Sequence, residues 1–347
     1  MKIIKIKDIK SKLNNSENPL FIFDDDHDGL CSYVLLRDYI KKGRPFATKG
    51  GAILRDNRLS EKINEYNSDI IFILDVPVIS QEFIDGLKCK DIVWIDHHEV
   101  VDLNGVYYYN PKIKDPKLYK PTTEICYEIV KGKDWIAGIG IIGDYKIPKF
   151  LKKLKNKYKD LFNDANTIEE IIYANKFGKL IDIINYNLKG KNKDIKKFME
   201  TIPKIKDPYE ILESKTENGK FIYQRYKKFM EKYKDLLNKA LESGKTKDNL
   251  FWFLYAADND SFTGELAQEI KFKLKNKIVF VGREKSGYIR FSLRSPNMPI
   301  RDILKKVLQE FNGTGGGHEL ACGGSIRKND FDEFIKSLAR EFKKKQS

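Results

Sequence analysis

The stretch Leu20-Phe21-Ile22-Phe23-Asp24-Asp25-Asp26-His27-Asp28-Gly29 decides how this chain is read. A short, continuously apolar run breaks into four carboxylates and a histidine and then opens a helix-like segment, the pattern of a buried strand whose end is loaded with hard ligands. Carboxylates this close repel one another. They are tolerated when a cation neutralises them or when their pKa values rise, so a divalent metal is one reading. The other is an acidic turn that caps the next helix, because Asp favours the N-cap position.

Two further runs repeat the pattern. Residues 70–74 end in Asp75, and Ile92–Ile95 end in Asp96-His97-His98. Amphipathic stretches separate these runs through residues 1–145, the signature of βαβ units around a mainly parallel sheet. In such a sheet ligand sites lie outside the carboxyl ends of the strands, so the three ends are expected to share one crevice. Asp144 closes the small-residue segment that runs from Trp135 to Gly143. A carboxylate there needs a partner: it either caps the following turn or joins the cluster.

Asp26, Asp28, Asp75 and Asp144 with His97 and His98 make a mixed oxygen and nitrogen donor set. Such a set suits Mn²⁺ and also holds Mg²⁺, Co²⁺ or Zn²⁺. A set this large implies two ions bridged by one carboxylate, with Asp24 as an outlying further ligand. Paired ions clamp the attacking and leaving oxygens of a phosphoryl displacement, so the implied reaction is hydrolysis of a phosphoester or phosphoanhydride. All four histidines, at 27, 97, 98 and 318, fall inside special stretches of this kind.

Composition sets the outer bounds. A length of 347 residues suggests about two domains. With 41% hydrophobic and 33% charged residues, the chain can bury a core under a heavily charged surface. No apolar run approaches the ~20 residues of a membrane span. The start, Met1-Lys-Ile-Ile-Lys-Ile-Lys, alternates charge instead of building a signal-peptide core, so a cytoplasmic protein with no membrane partner is expected. The four cysteines, at 31, 89, 126 and 322, form no C-x-x-C pair, which argues against a zinc finger. A net charge of +15 and a pI near 9.3 point to a polyanionic partner, nucleic acid foremost. The competing reading is a Lys-rich surface that serves solubility or ion-pair networks.

From residue 146 to 247 the chain turns Lys-rich and helical, with a capping box at Thr167 to Glu170 and a core stripe of Leu161, Ile168, Ile171, Ile172 and Phe177. It reads as a basic helical insert or linker. Polar residues 242–249 mark the next boundary, and residues 248–347 restart an α/β pattern. Strands are expected at Leu250–Ala256, 277–281 and 288–293, with helices at 264–275 and 299–311. The run Tyr288-Ile-Arg-Phe-Ser-Leu293 alternates, which puts Arg290 and Ser292 on one face and Phe291 and Leu293 on the other. Then comes Asn312-Gly-Thr-Gly-Gly-Gly-His318, read as a loop whose bare backbone amides approach a phosphate-sized anion. No Gly-Lys-Ser/Thr follows and no strand leads into a G-x-G-x-x-G, which excludes a Walker A or Rossmann loop. An amphipathic helix from residue 330 closes the chain.

Taken together, Asp26-His27-Asp28-Gly29, the lone Asp75, the triplet Asp96-His97-His98 and Asp144 resemble the four motifs of the DHH phosphoesterase superfamily. Gly315-Gly316-Gly317-His318, with Arg290 and Arg294 on the preceding strand, resembles the DHH-associated domain. The opening Asp24-x-Asp26-x-Asp28-Gly is similar to the RecJ type, and the chain looks most like archaeal RecJ-like proteins. His27 stands where RecJ-like proteins usually carry an apolar residue, which leaves it a ligand, a partner of a ligand or a bystander.

The resemblance implies an α/β protein in three parts. These are a parallel-sheet metal-binding domain at 1–145, a basic helical insert at 146–247 and a smaller DHH-associated substrate domain at 248–347. It implies a two-metal Mn²⁺ enzyme, with Mg²⁺ or Co²⁺ as substitutes, whose ligands are Asp24, Asp26, Asp28, Asp75, His97, His98 and Asp144. Asp96 would orient the histidine pair. Gly315, Gly316, Gly317, His318 and Arg290 or Arg294 would bind the terminal nucleotide's phosphate. The implied activity is an exonuclease on single-stranded DNA or RNA that releases nucleoside 5′-monophosphates, in company with a replication or repair protein. The alternatives are an oligoribonuclease, a cyclic-dinucleotide phosphodiesterase or a non-catalytic replication scaffold.

Overall fold

In a computed structural model, which describes residues 1–48, 53–54, 57–165, 167–256 and 261–345, the chain divides into two units, Met1–Lys227 and Lys228–Ser347. The division falls within the long helix Glu217–Ser243.

The first unit is built on a six-stranded, all-parallel sheet in the order Lys2–Ile3, Tyr107–Tyr109, Ile92–Ile95, Ile71–Leu74, Leu20–Phe23, Arg44–Ala47. Leu20 to Phe23, Ile71 to Leu74 and Ile92 to Ile95 are buried at every position, as continuous apolar runs require when helices cover both faces of a sheet. Their register is flush: Phe23 lies opposite Leu74, and Leu74 opposite Ile95. The residues that follow, Asp24, Asp75 and Asp96, therefore emerge side by side at one edge of the sheet. The expected convergence of strand ends is a consequence of this register.

The Lys-rich segment supplies helices Leu151–Lys157, Ile168–Ala174, Lys176–Asn187 and Asn192–Thr201. Thr167 and Glu170 form the expected capping box. Leu154 and Phe177 press on Gly138 of the helix Asp134–Gly143 so closely that a Cβ there would meet them at 2.7 and 2.9 Å. These helices belong to the first unit's packing.

The second unit holds a mixed six-stranded sheet ordered Thr314–Gly317, Ala321–Arg327, Tyr288–Arg294, Ile278–Lys285, Leu250–Ala256, Lys245–Lys247. Only the Leu250–Ala256 and Ile278–Lys285 pair runs parallel. Phe280, Phe291, Leu293 and Ile326 cover one face and pack against the helices Arg301–Leu308 and Phe331–Lys344. Within the polar stretch 242–249, the long helix ends at Ser243 and Lys245–Lys247 pair antiparallel with Leu250–Trp252.

One expectation needs correction. Gly315 to Gly317 are an edge strand, not a loop. They pair in register with Gly324, Gly323 and Cys322, and the two bare strands approach so closely that a Cβ on Gly324 would lie 2.4 Å from the Thr314 carbonyl oxygen. Glycine is depleted in strands by entropy, and here a glycine-rich partner makes the pairing sterically exclusive.

Candidate metal centre

Asp28 sits in the first turn of the helix His27–Ile40 and is almost completely buried, at 1% exposure. Its two oxygens accept the backbone N–H groups of Thr122 (2.8 Å) and Thr123 (2.7 Å) at the start of the helix Thr122–Val130. That helix begins at Pro121 with no side-chain cap of its own. A carboxylate from a distant helix supplies the cap, and the helix dipole favours its charge.

Asp75 emerges from its strand with φ +61°, a left-handed conformation that costs a non-glycine residue energy and that Asp tolerates better than most. Its N–H still donates to the Ile95 carbonyl at 3.0 Å, so the strained turn aims the side chain without breaking the ladder. Oδ1 accepts the Thr122 hydroxyl at 3.0 Å. Asp144 ends the helix Asp134–Gly143, and its Oδ2 accepts the Tyr119 hydroxyl at 2.5 Å.

These carboxylates meet at one imidazole nitrogen. His97 Nε2 lies 3.2 Å from Asp75, 3.8 Å from Asp144 and 3.9 Å from Asp28. His98 uses Nδ1 to bond Asp96 at 2.8 Å, and its backbone N–H donates to the same carboxylate at 3.0 Å. Asp96, fully buried, thus fixes the His98 ring, whose Nδ1 also lies 4.0 Å from Asp75 Oδ1. Ligand-type atoms of Asp75, His97 and His98 form one triad, those of Asp28, His97 and Asp144 another, and His97 belongs to both.

The electrostatics are those of crowded buried acids. Burial, followed by the charges of Asp28, Asp26, Asp144 and Asp96, raises the Asp75 carboxyl well above its usual range. Burial and Asp28 do the same to Asp144, against the opposing Tyr119 hydrogen bond. Burial and the neighbouring Asp26 and Asp25 push Asp24 up to about 8. Burial lowers the pKa of His97. It also opposes the charged form of His98, but the Asp96 hydrogen bond and charge outweigh it and the net shift is upward. A cluster that holds protons for want of positive charge is one that a cation would complete.

Five of the seven expected ligands therefore stand in the two triads, and two do not. Asp26 is the N-cap of the helix His27–Ile40, where its Oδ1 accepts the Gly29 N–H at 2.9 Å. Asp24 Oδ1 accepts from the Asp25 N–H (2.8 Å) and the Thr48 hydroxyl (3.3 Å). Gly29 is required by the same turn, since a Cβ would come within 2.5 Å of the Asp24 carbonyl oxygen. His27 enters neither triad. Its Nδ1 lies 3.1 Å from Asn185 Oδ1, and its ring fills the space a Cβ on Gly143 would need.

Sequence reasoning missed Thr122, Thr123 and Tyr119. The available signal was Pro121-Thr122-Thr123-Glu124, a helix start with no local acceptor for its first amides. Tyr119 donates to both the carbonyl and the carboxylate of Asp144, its ring centroid lies 5.5 Å from that of His97, and burial followed by the Asp144 charge raises its pKa.

In the second unit the Tyr288–Arg294 strand alternates as expected, with Ile289, Phe291 and Leu293 buried and Arg290 exposed. Arg294 Nη1 donates to the Leu293 and Cys322 carbonyls, at 3.0 Å each. His318 is exposed and its N–H donates to the Ala321 carbonyl at 2.9 Å. Continuing the antiparallel alternation from that bond pairs Gly316 with Gly323 and turns the amides of Gly315 and Gly317 to the open edge.

All four cysteines are free. Among the described residues no helix is long and apolar enough to cross a membrane.

The DHHA1 domain family matches residues 252–344. No curated protein matches the chain. Solved structures of similar fold include RecJ from Thermus thermophilus in complex with Mn²⁺, at 14% identity and a TM-score of 0.68. That match covers 97% of this chain and 53% of the other, so the chain spans about half the length of that RecJ. Another is exonuclease RecJ bound to manganese, at 15% identity and a TM-score of 0.62, covering 98% and 95%. A third is the pGpG-specific phosphodiesterase PggH from Vibrio cholerae, at 14% identity and a TM-score of 0.55, covering 94% and 98%. At these identities the likeness shows the fold. With the match over residues 252–344, the chain carries a DHHA1 domain there and has a RecJ-like fold.

Proposed function

We propose that the chain is a metal-dependent phosphodiesterase that removes nucleotides from single-stranded DNA or RNA and releases nucleoside 5′-monophosphates. The observation that carries this reading is the gathering of Asp28, Asp75, His97, His98 and Asp144 into two triads around His97. The donor set fits divalent ions. It is mixed oxygen and nitrogen, its carboxylates are crowded enough to retain protons, and every ligand except His97, whose Nδ1 is buried without a hydrogen-bond partner, is oriented by a neighbour: Thr122, Thr123, Asp96 or Tyr119. Two ions, Mn²⁺ foremost with Mg²⁺ or Co²⁺ as substitutes, would supply hydroxide near neutral pH and stabilise the charge of an in-line displacement.

The chain's own residues account for the rest. Asp28, Asp75, His97, His98 and Asp144 would hold the ions. Asp26 would shape the turn that presents Asp28 and lend negative charge, with Asp24 behind it. In the second unit Arg290, Arg294, His318 and the amides of Gly315 and Gly317 would hold phosphate. Gly316 would carry the strand between them. The net charge of +15 would draw the polyanion in. Two structures of this fold described as manganese complexes of RecJ support the choice of metal and substrate.

A second reading has an observation in its favour, the likeness to a phosphodiesterase described as pGpG-specific. In that case the substrates are short oligoribonucleotides or cyclic dinucleotides. Incubation with Mn²⁺ and end-labelled DNA and RNA of graded length decides between the two. Mononucleotide release from long strands supports the exonuclease. Turnover confined to substrates of a few residues supports the second reading, and no turnover on any of them sinks both.

A further inference from the structure

Among the described residues of the second unit, Arg283 is an arginine buried without a counter-charge. It is 9% exposed, and its Nε is buried with no hydrogen-bond partner. Directly opposite, on the neighbouring antiparallel strand, stands Arg290. Neither guanidinium has an ion-pair partner among the described residues, and the adjacent carboxylate, Glu284, is held by Lys328 at 2.5 Å. Like charges directly opposed on a sheet destabilise it, and a buried unpaired charge costs more. An anion between the two guanidiniums removes both costs.

The register places this pair in a wider pattern. Tyr255, Arg283, Arg290, Ser325 and Thr314 are successive neighbours across five strands, so their side chains share one face. The opposite face carries the apolar core of Phe280, Ile289, Phe291 and Leu293, while on this face Phe251, Phe253, Val279 and Val281 are also buried and Gly264 of the helix Thr263–Leu274 lies beside Ser292 and Arg294. Two residues further along each strand the row reads Phe253, Val281, Ser292, Gly323 and Gly316. Two further still it reads Phe251, Val279, Arg294 and Ala321, beside His318. The Arg283 and Arg290 row is thus four residues from Arg294, about 13 Å along the strand. One phosphate group cannot bridge that span.

We propose that Arg283 and Arg290 form a second phosphate site, and that the ligand of this sheet face is an extended single strand whose backbone engages Arg294 with one phosphate and this pair with another. The proposal rests on the reading of Arg294 and the glycine edge as a phosphate site. It deepens that reading by setting a minimum length on the substrate. A ligand with one phosphate fills one position, whereas a strand fills both.

The test measures binding by the full-length chain without divalent ions, using an oligothymidylate of about ten nucleotides and a thymidine dinucleotide over a range of salt. In Arg290→Gln and Arg283→Gln the longer strand should bind about tenfold more weakly. The slope of log affinity against log salt should fall by about 0.7 for each phosphate no longer neutralised. Dinucleotide binding should change by less than about twofold, since it retains the Arg294 position. Arg283→Lys keeps the charge and should retain most of the affinity. Should Arg283→Gln fail to fold, the exposed Arg290 carries the test alone.

The proposal is overturned if folded Arg290→Gln binds the longer strand as the unaltered protein does, with an unchanged salt slope. It is equally overturned if the dinucleotide loses as much affinity as the strand. Because no metal is present, absence of Mn²⁺-dependent hydrolysis would count against the phosphodiesterase and leave this binding difference standing.

Discussion

The two units solve opposite electrostatic problems. The first crowds acids at the ends of three flush parallel strands and one helix, where burial and mutual repulsion raise Asp24, Asp75 and Asp144. The second spreads arginines over one face of a mixed sheet, with the amides of a glycine edge strand beside them. The acids are oriented by backbone amides, a threonine hydroxyl and a tyrosine. The arginines are placed by strand alternation, with Arg294 also held by the Leu293 and Cys322 carbonyls. The acidic cluster therefore depends on three-dimensional convergence, whereas the arginine rows depend on a repeated strand face.

The largest effect should come from breaking the first half of that contrast. Asp75→Asn keeps a side chain that tolerates the left-handed backbone and removes a charge shared by the triad. Metal-dependent hydrolysis should fall about a thousandfold or more. Strand binding measured without metal should change by less than about threefold, because the arginine face is untouched. Full activity in this variant would remove Asp75 from the metal set.

Tyr119→Phe sharpens the comparison by taking away an orienting group while leaving every ligand in place. Loss of its bond to Asp144 should weaken Mn²⁺ binding by about tenfold. Isothermal titration checks this directly, and wild-type affinity would reduce Tyr119 to a packing residue.

His318→Ala probes the other side. Mononucleotide release should slow by about tenfold while Mn²⁺ affinity is retained. Unchanged kinetics would move phosphate recognition away from the glycine edge.

The smallest effect is one of pH. An acid whose folded pKa is raised to about 8 binds more protons folded than unfolded between its unfolded value, near 4, and 8. Stability of the metal-free protein should therefore fall as pH rises through that window, with Asp75 and Asp144 adding in the same sense. Added Mn²⁺ should raise the melting temperature more at pH 8 than at pH 5. Equal shifts at both would mean that metal does not replace the protons.

Much of this architecture could be read from the chain alone, because the signals are local. Short apolar runs that end in acid identified the strands and the edge where the acids collect. The alternation of Tyr288 to Arg294 identified which side chains share a face. Long-range geometry decided the rest. Asp26 and Asp28 look equivalent in sequence, yet one caps its own helix and the other caps the helix Thr122–Val130, ninety-four residues away. Only packing separates a carboxylate that caps its own helix from one that a distant helix start orients. The glycine run read as a loop because glycine disfavours strands, and its partner's own glycines reversed that preference. Arg283 carries no mark in sequence at all, since what distinguishes it is the absence of a counter-charge among the described residues, which only the fold reveals.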